Sequence, residues 1–385
     1  MRKNTPLLQQ ILRIWVSSII LFSFCTCTNH HRLNNTPSED NCLKYASLLH
    51  IQETDEAYTL VQILNPWQPQ KVEVRYLLVP TADTKWEEKT EQIYQAKLGA
   101  FTLLRTPLQR ITLTTSCHAY LLDELRALDH VSVMCDTEYI HSPSVHRWMH
   151  DGLAFDGGSS MAPNAEVLLS AETDAVWISP YENTSTGTLT HLPLTLIYCA
   201  DYMETSPLAR AEWMRFYGRL VDKGQEADSL FQCIASRYDS LISVSHADTL
   251  QTPPSLLAEL PYGPTWYVPG GASTSAILYQ DAGFAYPWAD DTHSGSLSLS
   301  PEAVLAKAID CDAWFFKYMD SHSDWSLSSF LQQNPYYKQF RAAKTGNVWG
   351  CNTSYSDFFD VTPFRPDLLL ESLINNDERF FKQLE

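Results

Sequence analysis

Short apolar stretches with strand character alternate with helix-like stretches over most of this chain, and this alternation constrains the fold more than any other feature. The segment "RITLTT" at 110–115 predicts a buried strand, 117–128 a helix and 130–136 another strand. The same alternation of strand-like and helix-like segments continues to a last predicted helix at 365–375. Strands separated by helices usually pair in parallel, with helices on both faces of the sheet. We therefore predict an α/β protein.

The longest helical signal divides this alternation in two. Ser206 and Pro207 supply a cap and a first-turn proline, and Gly224 predicts a break before a second helix that begins at about Gln225. Two α/β lobes joined by one long helix are the simplest arrangement. We place an N-terminal lobe at 57–224, the connecting helix at 225–245 and a C-terminal lobe at 246–385.

The N-terminal residues predict export. Arg2 and Lys3 precede the apolar run "IWVSSIILFSF", which is short for a membrane span and well sized for the core of a signal peptide. The run ends at "CTCTN", a pattern typical of bacterial lipoproteins, and Cys27 is favoured over Cys25 as the lipidated residue. We predict a signal peptide at 1–27 and a polar tether at 28–56. An uncleaved anchor or an ordinary secretory cleavage fits the same run.

The charge balance and the cysteine spacing argue against two classes of function. The formal net charge is −18, and no stretch is rich enough in Lys and Arg to neutralise a run of phosphates, which argues against a nucleic-acid partner. The seven cysteines from Cys42 to Cys351 contain no CxxC pair, which argues against a zinc ribbon or an iron–sulfur site. His146 and His150 could share a helix face around zinc, but the sequence offers no third ligand nearby.

Five segments carry a resemblance to a known family. In chain order they are "GSSMAPNAE", "ADYMETSPLARAEWMRFYG", "LPYGPTWYVPGG", "WADDTHSGSLSLSPEAVL" and "GNVWGCNTSYSDFFDVTPFRPDLLLE". With these, the chain resembles the iron-siderophore and cobalamin class of ABC-transporter substrate-binding proteins, in its Bacteroidetes-type branch, from about Ala57 to Leu373. The resemblance implies the class III fold, two three-layer α/β/α lobes joined by a single long helix. It also implies a monomer that captures a metal chelate between its lobes and delivers it to a membrane permease, without covalent chemistry or a cofactor.

The expected ligand site lies where the lobes face each other. Ligands of open parallel sheets settle beyond the carboxyl ends of the strands, and aromatic residues concentrate in the loops that this rule selects. Trp and Tyr rings suit the broad face of a chelate, although any single ring could belong to a core instead. The candidate ligand-binding residues are His118, Tyr139, Met161, Tyr181, Glu182, Tyr262, Trp266, Tyr267, Trp288 and Tyr355.

Two glutamates are candidates for contact with the permease. The resemblance implies one acidic residue on each lobe that meets arginines of the two permease subunits, and Glu166 and Glu302 occupy matching positions in "PNAEVLL" and "SPEAVLA". A two-fold permease can read two lobes that present the same charge at the same place. The alternative is that each acid only stabilises the first turn of its helix.

The sequence leaves several hypotheses about the function open. A tetrapyrrole chelatase also clasps a flat ligand between α/β lobes, although no Gly-x-Ser-x-Gly elbow, Walker loop or Gly-x-Gly-x-x-Gly motif is present. A surface lipoprotein that hands chelates to an outer-membrane transporter is another alternative. An iron chelate, a siderophore or haem, is favoured over cobalamin. Highly anionic catecholates are disfavoured because Arg and Lys are scarce in the predicted loops. The expected location is the periplasm or cell envelope, through a lipid anchor.

Overall fold

The structure is a computed structural model that describes residues 41–54, 58–180, 187–247 and 252–385. The predicted signal peptide, Cys27 and most of the predicted tether lie outside these residues, as do Tyr181 and Glu182. Within the described ranges, none of the helices combines the length and the apolar character needed to cross a membrane.

The described chain begins with a four-stranded sheet of order β1-β2-β3-β4. Its strands are β1 (Leu49–Glu53), β2 (Thr59–Asn65), β3 (Gln68–Pro80) and β4 (Thr102–Thr106), with helix α1 (Glu88–Leu98) between the last two. An Asn-Pro-Trp turn joins β2 and β3, and Asn65 Oδ1 closes this hairpin by accepting the backbone N–H groups of Trp67 and Gln68.

Part of the predicted tether belongs to this lobe. β1 pairs with β2 along its whole length, and the backbone N–H groups of Lys44, Tyr45 and Ala46 all donate to the buried carboxylate of Glu212. Backbone hydrogen bonds of this kind hold polar residues in place without an apolar pattern in the sequence. The tether prediction is therefore wrong for residues 41–54.

A five-stranded parallel sheet of order β7-β6-β5-β8-β9 forms the centre of the first lobe. Its strands are β5 (Ile111–Leu113), β6 (Val131–Met134), β7 (Phe155–Asp156), β8 (Ala175–Ile178) and β9 (Thr195–Tyr198). The accompanying helices are α2 (Ser116–Glu124), α3 (Pro143–His150) and α4 (Ala165–Ser170). The side chain of Ser142 accepts the N–H of Val145 and caps α3.

The long helical region is divided more finely than its sequence indicates. α5 (Pro207–Glu212) and α6 (Met214–Leu220) are separated at the fully buried Trp213, and α7 (Gly224–Ser245) follows. The predicted cap at Ser206 is present, since its hydroxyl accepts the N–H of Ala209. α7 lies against the first lobe, because Phe231 and Ile234 belong to that lobe's core.

The second lobe contains a sheet of order β10-β14-β15-β16, parallel except for its last strand, and a small antiparallel sheet of order β11-β12-β13. The strands are β10 (Leu256–Ala258), β11 (Pro261–Tyr262), β12 (Thr265–Pro269), β13 (Ser296–Leu299), β14 (Ala313–Tyr318), β15 (Val348–Asn352) and β16 (Lys382–Gln383). The helices are α8 (Thr274–Asp281), α9 (Pro301–Ala308), α10 (Leu327–Gln333), α11 (Arg341–Thr345), α12 (Phe358–Val361) and α13 (Pro366–Asn375).

Each lobe has its own large apolar core, and the C-terminal segment joins them. Phe364 and Leu370 pack into the first core, whereas Leu369 and Leu373 pack into the second. A salt bridge also links the C-terminal segment to the first lobe, because Arg365 Nη1 lies 2.9 Å from Glu124 Oε1 of α2. The fold is thus α/β with two lobes and parallel sheets, and residues after 246 contribute to both lobes.

Candidate inter-lobe binding site

A cavity of about 570 Å³ lies between the two lobes. We call it the inter-lobe cavity. The first lobe contributes the turn Asp201–Met203 that follows β9, together with Glu204 and Arg210; the second contributes Glu259 after β10, Tyr267 of β12 and the start of α8. The carboxyl ends of parallel strands from both sheets therefore meet at this cavity, as expected for a ligand site of an open α/β sheet.

A buried polar cluster of the first lobe ends at this cavity. The carboxylate of Asp201 accepts hydrogen bonds from Tyr217 Oη at 2.9 Å, His118 Nε2 at 3.2 Å and Arg210 Nε at 3.2 Å. Because a carboxylate only accepts, Nε2 of His118 carries a proton, and its Nδ1 lies 2.6 Å from Thr115 Oγ1. Asp201 is buried, whereas Arg210 extends to the cavity wall.

A smaller and more apolar cavity of about 210 Å³ shares Arg210, Thr274 and Ser275 with the inter-lobe cavity. We call it the apolar cavity. The ammonium group of Lys317 also faces it and is ion-paired with Glu259. Its apolar lining residues include Leu278, Phe358, Phe359, Leu369 and Phe381.

Two further cavities are each lined by other residues of the lobes. The first-lobe cavity, of about 390 Å³, is lined by Met161, by the β2–β3 hairpin and by the residues that follow β5, β8 and β9. The Tyr355 cavity, of about 440 Å³, is lined by Tyr355, His141, Asp357 and Arg379 among others.

The structure does not bring the exposed candidate residues together in one site. Tyr267 lines the inter-lobe cavity, Met161 the first-lobe cavity and Tyr355 the Tyr355 cavity. Tyr139 and Tyr262 are exposed and lie outside the linings of these four cavities. Of the predicted aromatic residues that the structure describes, only Tyr267 lines the inter-lobe cavity.

Three other candidates are core residues. Trp266 is 0 % exposed, with its indole N–H bonded to Ala258 O and its ring stacked on Trp314 at 5.6 Å. Trp288 packs beside Tyr286, and His118 is 2 % exposed within the polar cluster. Rings in these places cannot reach a ligand unless the core opens, so the prediction that they line the cleft is wrong. A single sequence does not separate an aromatic ring that lines a cleft from one that fills a core.

The Gly-Gly loop before α8 has a steric role. A Cβ built on Gly270 would lie 2.3 Å from His293 O, and one on Gly271 would lie 2.4 Å from Asp291 O. Both glycines therefore let this loop approach the backbone of 288–295 more closely than any side chain permits. The close approach fixes the start of α8 at the edge of the inter-lobe cavity.

Sequence reasoning missed Arg210, Tyr202 and Lys317 as candidate site residues. Arg210 lies on helix α5 and Lys317 near the end of strand β14, whereas the predicted site residues were taken from loops that follow strands. The segment "ADYMETSPLARAEWMRFYG" did carry the resemblance, and it contains both Tyr202 and Arg210. The arginine's proximity to the second lobe follows only from the packing of α5 near α8.

Glu166 and Glu302 are both exposed in the first turns of their helices, α4 and α9. Asn164 and Ser300 cap these helices, so the two segments share their local geometry. A hydrogen bond from the backbone N–H of Glu302 itself, aided by Ser300, lowers the pKa of the Glu302 carboxyl. Both side chains are therefore open to solvent.

The histidine pair considered for zinc is not arranged as a metal site. His146 Nε2 is hydrogen-bonded to Ile140 O at 2.7 Å, and His150 pairs with the neighbouring Asp151. Among the described residues, no group of three or more His, Cys, Asp or Glu side chains could hold a metal ion. In the same ranges all seven cysteines are free thiols, five of them buried.

The sequence pattern of the family described as periplasmic binding protein matches residues 158–355, slightly more than half of the chain. The chain belongs to this family. The binding protein is also 25 % identical to an uncharacterized lipoprotein of Methanocaldococcus jannaschii over 393 aligned positions, which cover 94 % of this chain and 90 % of the relative.

Solved structures confirm the fold of the binding protein. A periplasmic haem-binding protein from Pseudomonas aeruginosa superposes with a TM-score of 0.56 at 16 % identity, over 72 % of this chain and 98 % of that one. An ABC-type Fe3+-hydroxamate transport protein from Saccharomonospora viridis gives 0.54 at 18 % identity, over 70 % and 93 %. A periplasmic vitamin B12-binding protein from Vibrio cholerae gives 0.50 at 15 % identity, over 70 % and 96 %. The predicted class III fold is confirmed.

Proposed function

We propose that this protein is the substrate-binding lipoprotein of an ABC importer, which captures an iron chelate, a siderophore or haem, between its lobes. The observation that carries the proposal is the inter-lobe cavity, which lies beyond the carboxyl ends of parallel strands in a chain of the periplasmic binding protein family. The three solved relatives are described as proteins for haem, Fe3+-hydroxamate and vitamin B12, all of them metal complexes in an organic frame.

The shape and chemistry of the cavity suit reversible capture of such a complex. Its wall combines the phenol rings of Tyr202 and Tyr267 with the guanidinium of Arg210 and the hydroxyls at the start of α8. A few polar groups beside apolar surface fix the orientation of a ligand, and its burial supplies most of the affinity. A hydrogen bond between Thr274 Oγ1 and Glu204 O already joins the two walls.

The binding step is tested by titrating the purified protein with haemin, cyanocobalamin and uncharged and anionic ferric siderophores, using quenching of its tryptophans. We expect one iron chelate to bind with a stoichiometry of one and without turnover. If cyanocobalamin alone binds saturably, the proposed ligand becomes cobalamin instead of an iron chelate. If the protein inserts metal into a free porphyrin, the proposed function becomes that of a chelatase instead of a receptor. Failure of every chelate to bind the wild-type protein would refute the proposal.

Delivery to the permease is the second part of the proposal. Glu166 and Glu302 are exposed, similarly capped and on different lobes, which is the arrangement required to meet two related subunits. Charge reversal at both positions, Glu166→Lys and Glu302→Lys, is expected to stop uptake of the chelate by cells and to leave binding in solution unchanged. Normal uptake by the double variant would leave these residues with only a local role in their helices.

The anchor is the third part. We propose that lipid on Cys27 holds the protein in the cell envelope, which agrees with the description of the archaeal relative as a lipoprotein. Cys27→Ala should move the protein from the membrane fraction to the soluble fraction, whereas Cys25→Ala should not. The reverse pattern would assign the lipid to Cys25.

A further inference from the structure

Arg210 is the only basic residue among the described residues that line the inter-lobe cavity. Its Nε donates to Asp201 Oδ2 at 3.2 Å, and its two terminal nitrogens have no hydrogen-bond partner within the described ranges. The side chain is 26 % exposed and borders both the inter-lobe cavity and the apolar cavity. A guanidinium whose inner edge is bonded and whose outer edge is open presents two parallel donors to a ligand.

A buried carboxylate, that of Asp201, fixes the orientation of Arg210. Asp201 is 2 % exposed and is itself fixed by His118 and Tyr217, so the carboxylate that orients Arg210 cannot turn away. A long side chain held in this way loses little further freedom when it binds a ligand. Asp201 therefore acts as a positioning residue and Arg210 as the contact.

Within the described chain, the two acidic residues that line the inter-lobe cavity, Glu204 and Glu259, have partners other than Arg210. The carboxylate of Glu204 accepts from the backbone of Ser47 and Leu48 and from the indole of Trp213, at 2.9–3.0 Å. The carboxylate of Glu259 is ion-paired with Lys317. The open donors of Arg210 are thus not already occupied by the cavity's own carboxylates.

From these contacts we infer that the ligand of the inter-lobe cavity carries a carboxylate, which accepts two hydrogen bonds from the outer edge of Arg210. The neighbouring apolar cavity indicates that an apolar part of the same ligand lies next to that carboxylate, against residues such as Phe358 and Phe359. The sequence-based expectation disfavoured only highly anionic catecholates, because Arg and Lys are scarce in the predicted loops. The inference rests on the proposed function, since it specifies the chelate that the cavity takes.

The test compares haemin, which carries two propionate carboxylates, with haemin dimethyl ester, in which the same groups are uncharged. Tryptophan quenching gives the dissociation constant of each for the wild type and for Arg210→Gln. We expect the wild type to bind haemin about tenfold to a hundredfold more tightly than the ester, as for the loss of charge-assisted hydrogen bonds. Arg210→Gln should remove that difference and change the affinity for the ester by less than about threefold.

Arg110→Gln is the matched control, since Arg110 belongs to the same lobe and pairs with Glu172 and Asp174 just before β8, at the opposite edge of the sheet. It should keep the preference for haemin. If Arg210→Gln lowers the melting temperature, the double variant Asp201→Asn/Arg210→Gln, which removes the buried charge together with its partner, serves for the same comparison. Equal affinity of the wild type for both probes, or a preference that survives in Arg210→Gln, overturns the inference and leaves the proposed function standing. Failure of the wild type to bind any chelate overturns both.

Discussion

The two lobes contain similar parallel sheets but stabilise them with different chemistry. The first lobe buries ionisable side chains, Asp201, Glu204, Glu212 and His118, each hydrogen-bonded to several partners. The second lobe buries rings around Trp314, which contacts Phe330, Tyr337, Phe340 and Trp266 with centroids 4.8–5.6 Å apart.

This difference bears on the ligand contact proposed for Arg210. Ring packing is stabilising and tolerant of small changes in geometry, whereas a buried carboxylate stabilises the fold only when its hydrogen-bond partners are in place. The polar cluster of the first lobe reaches the inter-lobe cavity through Arg210, while the central rings of the second lobe remain in its core. In the proposed binding mode, the first lobe therefore supplies the charged contact, Arg210, and the second lobe supplies the opposite side of the cavity.

Removal of the central ring of the second lobe should have the largest effect on stability. Trp314→Ala deletes a fully buried indole with five aromatic neighbours, and we expect the free energy of unfolding to fall by about 4 kcal/mol. Denaturant unfolding followed by circular dichroism measures the loss. Tyr262→Ala, at a side chain that is 81 % exposed, should change it by less than about 0.5 kcal/mol. A similar small loss in both variants would show that the ring cluster does not stabilise the lobe.

Loss of one buried carboxylate of the first lobe should have the next largest effect. Glu212 accepts the N–H groups of Lys44, Tyr45 and Ala46 at 2.7–3.0 Å and pairs with Arg215 at 3.3 Å. Glu212→Gln keeps the shape but removes the charge, and we expect a loss of about 3 kcal/mol in the free energy of unfolding. The cleavage rate near residue 44 by a protease should rise as well.

Glu166→Gln provides the comparison for this variant, because it makes the same chemical change at an exposed position. If Glu212→Gln left both the unfolding curve and the proteolysis rate as they are for Glu166→Gln, the hydrogen bonds to residues 44–46 would contribute nothing measurable. The N-terminal segment would then be attached by its apolar contacts alone.

The sequence predicted the order of helices and strands well, because that order is written in local patterns. The cap at Ser206, the turn at Asn65 and the strand at Ile111–Leu113 are all set by a few adjacent residues. The role of Trp266 was missed because its surroundings come from distant segments, Trp314 and Phe340 above all. A local sequence pattern does not show whether an aromatic side chain will be buried in the core of a lobe or will line the cavity between the lobes.

The site was harder to predict for the same reason. Arg210 is a polar residue on a short helix, and nothing near it in the sequence distinguishes it from Arg215, which pairs with Glu212 and Asp228. Only the packing of α5 against the second lobe turns one arginine toward the cavity and leaves the other in a structural ion pair. A residue of this kind is found by asking which charged groups remain open after packing.

The smallest effect that separates the two lobes is the pH dependence of their stability. Burial alone would raise the pKa of the Asp201 carboxyl, but the hydrogen bond and charge of His118, the charge of Arg210 and the hydroxyl of Tyr217 outweigh it and hold the pKa below 3.8. A carboxyl whose pKa is lower in the folded state stabilises the fold above its unfolded pKa, and that contribution disappears as the pH falls through the folded pKa. Asp201→Asn lacks this contribution, so its melting temperature should fall less steeply than that of the wild type below about pH 4.

Asp320 is the matched residue in the second lobe, where hydrogen bonds from the His322 backbone and the Trp325 indole lower the pKa of a carboxyl whose side chain is 27 % exposed. Water screens such a group, so Asp320→Asn should leave the acid limb of the melting curve close to that of the wild type. Melting temperatures measured between about pH 3 and about pH 6 provide the comparison. If Asp320→Asn flattened the acid limb as much as Asp201→Asn, the pH dependence of stability would not arise from the buried cluster of the first lobe. The two lobes would then differ in the residues they bury but not in how their stability responds to pH.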